Sequence, residues 1–356
     1  MDFIIENALK NTRETPDFMD AVGAPRIFVV GCGGAGNNSI HRLHNMGVSG
    51  AEIIAINTDK QHLDNRHADT KILIGAEVTR GLGAGGFPDV GKKAAEESKH
   101  ELQQAIGNAD LVFITAGMGG GTGTGSAPIV GEIARNKGAI VIGVVTMPFS
   151  LERARRMKAE TGLLELRKQA DTVIVIENNR LVEVAGKLPL GQAFAVADEL
   201  IAMMIKGIVE TIAVPSLMNL DYADVKAIMR DGGVAMIGVG EATGEKKAHD
   251  ALQKALTTPL IDVDYKGATG ALVHITGGPD LTLAEANEIG DLVSHNLDAS
   301  AGVIWGARVD DDMEGRIRVI TIITGVNSTC ILGANQEKNE TKDVSSRFKD
   351  IGLDMI

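Results

Sequence analysis

The feature that most constrains this chain is a loop with six glycines in nine residues, Gly117 to Gly125, between an apolar run and a helical pattern. Glycine has no Cβ atom, so the backbone amides of such a loop can approach an anion closely. The amino end of the following helix adds favourable partial charge. The hydroxyls of Thr122 and Thr124 offer further contacts. This loop therefore predicts a binding site for a chain of phosphates.

Two further glycine segments accompany it. The run Gly31 to Gly36 matches G-x-G-x-x-G directly after an apolar strand, and Gly81 to Gly86 follows another predicted strand. Alone, the first segment is typical of dinucleotide-binding folds, with Asp59 as the ribose-binding acid, and favours an NAD-dependent oxidoreductase. Three glycine loops that converge on one sheet edge suit a triphosphate better than a pyrophosphate. The oxidoreductase is therefore the alternative hypothesis.

Apolar runs alternate with helical patterns from Arg26 onward, which indicates a doubly wound parallel sheet. Such sheets bind ligands at the carboxyl ends of their strands. A helix is expected over Ala127 to Lys137. The predicted strands are Ile27 to Val30, Glu52 to Asn57, Lys71 to Ile74, Leu111 to Thr115, Ala139 to Thr146 and Thr172 to Glu177.

A long apolar helix, about Phe194 to Leu217, follows and is expected to be a buried core helix. Beyond it, the pattern β-α-β-α-β-β predicts a smaller α+β unit with a mixed sheet. Its predicted strands and helices are Val234 to Gly240, Lys246 to Leu256, Gly270 to Thr276, Ala284 to Leu297, Val303 to Val309 and Arg316 to Thr324. The stretch from Ala334 is too polar to bury a core and is expected to be a flexible tail.

Charge and cysteine content exclude several classes of protein. The chain has 47 acidic and 35 basic residues, a net charge of −12, which argues against a nucleic-acid scaffold. Cys32 and Cys330 are the only cysteines, so a disulfide framework and a cysteine zinc site are excluded. The mixed charges of the first twenty residues are not those of a signal peptide, and the long helix is too charged to cross a bilayer. We expect a cytoplasmic protein without direct membrane insertion.

The second glycine loop and four companion motifs resemble one family. Gly119 to Gly125 reads Gly-Gly-Gly-Thr-Gly-Thr-Gly, the signature of the tubulin/FtsZ family. The companions are Asn57-Thr58-Asp59, Gly81-Leu82-Gly83-Ala84-Gly85, Pro148-Phe149 and Asn219-Leu220-Asp221-Tyr222-Ala223-Asp224. The resemblance covers about Arg26 to Gly333 and is to the prokaryotic cell-division branch, FtsZ. The amino-terminal extension, the Gly-Cys-Gly of the first loop and the short tail look like archaeal members.

The resemblance implies a tubulin-like α/β GTPase with five parts. These are a helical extension at 1–25, a GTP-binding domain with a doubly wound parallel sheet at 26–193, a central core helix at 194–218, a smaller α+β GTPase-activating domain with a mixed sheet at 219–333, and a tail at 334–356. It also implies GTP or GDP as the bound nucleotide and Mg²⁺ on the phosphates, with a monovalent cation as a further candidate. No protein metal site is expected.

The resemblance also implies a set of nucleotide contacts. The residues that would hold the phosphates are Gly34, Ala35, Asn37, Asn38, Gly121, Thr122, Gly123 and Thr124, with Ala84, Gly85 and Gly86 over the γ-phosphate. The other nucleotide contacts in these loops are Gly33, Gly36, Asp59, Gly117, Gly119 and Gly120. Glu152 and Arg156 match ribose and nucleotide contacts, and Asn178 and Asp198 match base contacts. Guanine offers N1–H and N2–H₂ donors to a carboxylate and adenine does not, so Asp198 would select guanine.

Each charged residue has a structural alternative. Glu152 and Arg156 could form an i,i+4 ion pair. Asp198 could be a helix-terminus residue. Asp221 and Asp224 could be an N-cap and a first-turn acid. In the family this last loop enters the next subunit's pocket, and its acids polarise the attacking water.

The implied partners are further copies of the chain, joined head to tail into a filament that forms a ring at mid-cell. The ending Arg347 to Ile356 resembles the peptide that binds a membrane-anchoring adaptor such as SepF, and a frayed terminus without a role is the alternative. A filament protein that binds GTP without cleaving it is a second rival hypothesis.

Overall fold

The computed structural model describes residues 25–213, 221–230, 232–257, 268–297 and 301–326. The predicted amino-terminal extension up to residue 24, the tail, and Asn219 and Leu220 lie outside these ranges. None of the helices within the ranges combines the length and apolar character needed to cross a membrane.

Ten strands form one sheet in the order β3-β2-β1-β4-β5-β6-β7-β10-β8-β9. The six strands of the first half are all parallel to their neighbours. The strands are β1 Ile27–Cys32, β2 Ala51–Asn57, β3 Thr70–Leu73, β4 Leu111–Gly117, β5 Ile140–Met147, β6 Thr172–Glu177, β7 Gly233–Thr243, β8 Gly270–Gly277, β9 Gly302–Val309 and β10 Arg316–Thr324. The predicted doubly wound sheet is confirmed.

Helices cover both faces of the sheet. They are α1 Gly33–Asn45, α2 Lys60–Asp64, α3 Ala76–Thr79, α4 Pro88–Glu97, α5 Lys99–Ile106, α6 Thr122–Asn136, α7 Arg153–Gln169, α8 Asn178–Ala185, α9 Leu190–Ala213, α10 Tyr222–Met229, α11 Lys247–Thr257 and α12 Leu283–Asn296. A short 3₁₀ helix, Asp311–Met313, precedes β10.

Successive residues of each central strand contribute to two different hydrophobic cores. In β1, Val29 belongs to the core under α1 and α9, while Val30 belongs to the core under α4 to α7. Phe113 and Ile114 of β4 divide in the same way. Because strand side chains alternate between faces, strands buried on both faces are apolar throughout. This is why the first-half strands are readable as apolar runs.

The second half continues the same sheet. β7 pairs with β6 in parallel over three residues, Thr172 to Ile174 against Gly233 to Ala235. β10 then lies antiparallel between β7 and β8, and β9 is parallel to β8, which gives the mixed arrangement that the sequence predicts. The sequence pattern does not predict that the strands of the two halves are hydrogen-bonded into one continuous sheet.

Two helices begin earlier than the sequence predicts. α6 begins at Thr122 and not at Ala127, because the glycines that lower helix propensity here lie within its first turn. α9 begins at Leu190 and not at Phe194. In both cases the residues just before the predicted start already belong to the helix.

A buried histidine joins α9 to the second half of the sheet. His274 of β8 contacts the Thr211 hydroxyl through Nδ1 and the Thr276 hydroxyl through Nε2. Thr211 Oγ1 also donates to the Gly207 carbonyl, so it accepts from Nδ1–H of a neutral imidazole. Burial, followed by the charges of Arg308 and Arg318, lowers the pKa of His274 from 6.5 to about 4. The neutral ring is therefore part of the folded state.

Acidification should destabilise the protein through His274. The unfolded chain takes up this proton below pH 6.5, whereas the folded chain does so only near pH 4, so stability is lost as pH falls through this window. By pH 4 the loss amounts to roughly 3 kcal/mol. Urea unfolding of the wild type and His274→Gln between pH 7 and pH 4 measures it. The exposed His249→Gln should retain the wild-type slope, and an equal slope in His274→Gln would contradict the assignment.

Candidate functional site

The first two glycine loops meet at the carboxyl ends of the parallel strands. Gly33 follows β1 with a φ of +70°, and a methyl group on it would lie 2.7 Å from the amide nitrogen of Gly123. A methyl group on Gly117 would lie 2.6 Å from the Cβ atom of Ala35. Neither approach is possible with a larger residue. The two loops are thus in backbone contact, as their composition predicts.

The third loop packs on the second. A methyl group on Gly121 would lie 2.8 Å from the Cβ atom of Ala84 and 2.9 Å from the backbone nitrogen of Phe87. The hydroxyls of Thr58 and Thr122 are 2.6 Å apart, and the Gly83 amide donates to the Thr58 carbonyl at 3.1 Å. The predicted convergence of three glycine loops is confirmed.

Two helix amino ends open into this junction. Neither α1 nor α6 has a side-chain cap or an acidic residue in its first turn. The first amides of a helix have no partner within the helix, and they attract anions. Two uncapped helix ends and a glycine-rich loop therefore form an anion site of backbone amides.

Several residues predicted to contact the nucleotide form hydrogen bonds within the protein. Thr124 is buried, and its hydroxyl accepts from the Gly119 amide at 2.9 Å, which fixes the loop. Asn37 is fully buried; in the amide orientation that satisfies its neighbours it bonds Gly31 and Asn57. Asp59 is the N-cap of α2 and accepts from the His62 amide at 3.0 Å. Gly34, Ala35, Gly85 and Gly86 are exposed at the loop surfaces.

Asp198 faces α1 across a cleft of about 540 Å³. The Ser39 hydroxyl donates to its Oδ1 at 2.7 Å. Since α9 begins at Leu190, Asp198 lies in the third turn, so the alternative role at a helix terminus is wrong. The same cleft is lined by Asn38, whose buried Oδ1 has no hydrogen-bond partner among the described residues. A buried acceptor without a partner is typical of a ligand site.

Opposing effects act on the pKa of Asp198 in this cleft. Burial raises the pKa of Asp198, while the hydrogen bond from Ser39 and the charges of Arg42 and Arg66 counter part of the rise. Arg42 itself is paired with Glu199 at 2.9 Å. The carboxylate is therefore partly desolvated and can accept hydrogen bonds strongly.

Phe194 is a further candidate site residue, which the sequence analysis does not single out. It is 40% exposed, one helical turn before Asp198, and its ring stands edge-to-face with Phe149 at 5.9 Å between centroids. The signal in the sequence is an aromatic residue four positions before a lone carboxylate on an apolar helix, because i and i+4 share one helix face. The pair gives this side of the site a flat apolar surface.

Glu152 and Arg156 lie where β5 leads into α7, but they do not pair. Glu152 accepts from the Phe149 amide at 3.2 Å and from Arg155 at 2.8 Å. Arg156 donates to Glu160 at 3.2 Å and to the Ser150 hydroxyl at 3.0 Å. The alternative of a Glu152–Arg156 ion pair is therefore wrong. Asn178 begins α8 directly after β6, at the same edge of the sheet.

Asp221 and Asp224 lie near the amino ends of the parallel strands, at the opposite end from the glycine loops. Asp221 is the N-cap of α10 and accepts from the Ala223 amide at 3.1 Å, and Asp224 is in the first turn. The next residue, Tyr222, donates to the carbonyl of Asp110, which precedes β4. β4 has seven residues, so its ends are roughly 20 Å apart. The two exposed acids are thus not brought to the glycine loops of their own chain.

Comparisons with known proteins identify the fold. The Tubulin/FtsZ family GTPase domain matches residues 26–186, and the FtsZ family C-terminal domain matches residues 233–327. Cell division protein FtsZ 2 of Methanocaldococcus jannaschii is 59% identical over 333 residues, 93% of this chain and 88% of the relative. Cell division protein FtsZ 1 of Pyrococcus furiosus is 54% identical, over 90% of this chain and 86% of the relative.

A solved structure agrees with these sequence matches. The empty FtsZ dimer of M. jannaschii superposes with a TM-score of 0.82 at 50% identity, and the match covers 90% of this chain and 92% of that chain. The sequence matches and the structural match thus indicate the same family over most of the chain. The chain belongs to the Tubulin/FtsZ family of GTPases.

Proposed function

We propose that this GTPase polymerises head to tail, holds GTP between adjacent subunits, and hydrolyses it with acids from the next subunit. The filament then forms the division ring at mid-cell, on the cytoplasmic side. In this arrangement residues 26–193, together with Asp198 of the central helix, supply the nucleotide pocket, and residues 219–333 supply the acids. The names of the relatives, cell division proteins, and of a solved neighbour, an FtsZ dimer, support this assignment.

The observation that carries the proposal is the separation of the two halves of the site. The glycine loops are at the carboxyl edge of the parallel sheet, and the exposed acids of α10 are near the amino end of β4. A subunit whose pocket and acids are on opposite edges can complete a site only with a neighbour. Contact between two different surfaces can repeat from copy to copy, and it produces a filament where the rotation between copies does not close into a ring.

The chemistry needs little from side chains. Phosphoryl transfer to water depends chiefly on positioning and charge stabilisation, and the uncapped ends of α1 and α6 supply donors. Asp221 or Asp224 of the neighbour would orient the water. Mg²⁺ prefers oxygen ligands, which the phosphates and the hydroxyls of Thr58 and Thr122 offer. When bound it would neutralise charge on the phosphates.

The rival hypotheses fare differently. Membership of the GTPase family removes the NAD-dependent oxidoreductase. A filament protein that binds GTP without cleaving it remains the second candidate, and the presence of two exposed carboxylates in α10 argues against it. Measured turnover decides between them.

Specific GTPase activity should depend on protein concentration. Turnover per subunit should be near zero in dilute protein and should rise above a threshold, because each site needs two subunits. Phosphate release and light scattering, followed together over a concentration series, measure it. A specific activity that is constant across the series would contradict the shared site.

Variants of the acids sharpen this experiment. Asp221→Asn retains an N-cap side chain but removes the charge, so it avoids the loss of about 0.5–2 kcal/mol expected for Asp221→Ala. Asp221→Asn and Asp224→Ala should abolish turnover while nucleotide binding and scattering persist. Asp250→Ala, which removes the exposed first-turn acid of α11, is the matched control. A loss of GTP affinity in the α10 variants would instead assign the loop to its own pocket.

Asp198 should determine the preference for guanine. Asp198→Ala should lower GTP affinity roughly ten- to a hundredfold and bring it nearer that for ATP, since hydrogen bonds to charged groups contribute about 1.5–3 kcal/mol. Because its pKa is raised, acidification should protonate this carboxyl earlier than an ordinary aspartate and weaken guanine binding. Titration with both nucleotides at several pH values tests this. Glu288→Ala, which removes an exposed acid of α12 outside the cleft, should behave as wild type, and unchanged discrimination in Asp198→Ala would refute the role.

The tail completes the proposal. Phe348, Ile351, Leu353 and Ile356 return apolar character after a polar stretch, and such a segment can order on a partner's groove. Individually modest contacts would be multiplied along a filament. We assign this ending to a membrane-anchoring adaptor such as SepF.

Deleting Arg347 to Ile356 should abolish recruitment of filaments to adaptor-coated liposomes and leave GTPase activity and assembly intact. Co-sedimentation with the liposomes measures recruitment. The matched control replaces the ten residues with a scrambled order of the same composition, which should also fail to bind. Recruitment that survives the deletion would place the adaptor site on the globular domains.

A further inference from the structure

The two halves of the third glycine loop are held in different ways. The first half is tied to the end of β2, because Lys60 N donates to the Gly81 carbonyl at 3.0 Å and Gly83 N donates to Thr58 at 3.1 Å. The second half, Ala84 to Phe87, contains left-handed Gly85 and Gly86 and is largely exposed. This half packs on Gly121 of the second loop through Ala84 and Phe87, and its exposed glycines have a further anchor on another element.

Lys158 supplies that anchor. Its Nζ donates to the carbonyl of Gly86 at 2.8 Å and lies 5.2 Å from the centroid of the Phe87 ring. In the part of the chain that the structure describes, this is the side-chain hydrogen bond that joins the second half of the loop to another element. The ammonium thus combines a charged hydrogen bond with a cation–π contact.

The helix that carries Lys158 is itself fixed against the second glycine loop. A methyl group on Gly119 would lie 2.7 Å from the Arg155 carbonyl, and one on Gly162 would lie 2.2 Å from the Cγ2 of Thr124. Thr124 in turn holds the Gly119 amide. α7 is therefore a rigid support, and Lys158 sets the position of the third loop relative to the second.

We propose that Lys158 is a positioning residue that latches the loop Ala84 to Phe87 over the terminal phosphate, so that it governs discrimination between GTP and GDP. The inference rests on the proposed function, in which this loop contacts only the γ-phosphate. With the Gly86 carbonyl engaged by Lys158, the amides of Gly85 and Gly86, which donate no hydrogen bond to the described residues, are left for the ligand. GDP does not reach this loop, so its binding is independent of the latch.

The test compares nucleotide affinities of dilute protein for a non-hydrolysable GTP analogue and for GDP. Lys158→Met keeps the aliphatic stem and removes the ammonium. It should weaken binding of the GTP analogue roughly five- to thirtyfold, the range for a part-exposed charged hydrogen bond, and change GDP affinity less than about twofold. In assembled protein the same variant should raise KM for GTP and leave kcat nearly unchanged.

Three further variants separate the latch from general damage. Lys158→Arg retains a donor and a cation over the ring and should restore most of the affinity. Phe87→Leu removes only the ring contact and should give a smaller loss. Lys168→Met on the same helix, where the lysine pairs with Glu165 at the protein surface, should behave as wild type.

The outcomes are distinct. An equal loss for both nucleotides, or no loss for either, in Lys158→Met would overturn the latch while leaving the proposed function intact. A wild-type protein that binds neither guanine nucleotide would overturn the proposed function and the latch with it. Selective loss for the GTP analogue, restored by arginine, supports the inference.

Discussion

The rest of the structure depends on a backbone-to-backbone contact between two glycine loops, in which Gly33 and Gly123 approach more closely than any side chain allows. The contact brings the amino ends of α1 and α6 together above the sheet, and neither end has a capping side chain. Ordinarily such an end is satisfied by Ser, Thr, Asp or Asn. Here the unsatisfied amides of two helices are concentrated at one place, and a polyanion is the ligand that satisfies them.

The direction of the strands then decides where everything else lies. Because β1, β4, β5 and β6 are parallel, their carboxyl ends lie on the same side of the sheet. The glycine loops, Glu152 and Asn178 all lie at these ends. α10 packs near the amino ends instead, where Tyr222 bonds Asp110 and the Met229 carbonyl accepts from Thr172. A parallel sheet therefore gives the subunit two chemically different ends, one rich in amide donors and one bearing exposed carboxylates. In the proposed filament these two ends meet between copies and not within one copy.

The sequence predicts the sheet and the glycine junction well, since strands buried on both faces are apolar throughout and glycine clusters have few structural uses. It predicts side-chain pairing poorly. Glu152 and Arg156 have the spacing of an ion pair, yet each has a nearer partner in Arg155 and Glu160, because the pair sits at a helix start where the loop competes for the carboxylate. The sequence predicts that the Thr124 hydroxyl contacts the ligand, but in the structure this hydroxyl accepts a hydrogen bond from the Gly119 amide. Lys158 is invisible in sequence because its contact joins segments 72 residues apart.

The long helix α9 physically links the nucleotide pocket to the second half of the molecule. Its 24 residues span about 36 Å as one stiff element. Asp198 near its start contacts Ser39 of α1, and Thr211 near its end contacts His274 of β8, while Glu210 pairs with Arg308 of β9. Asp221 follows the helix by eight residues in sequence. A displacement of α9 along its axis would therefore move Asp198 and strain the contacts of Glu210 and Thr211 with the second half of the sheet together. Because a packed helix moves as a unit, α9 links the cleft at Asp198 mechanically to that half of the molecule.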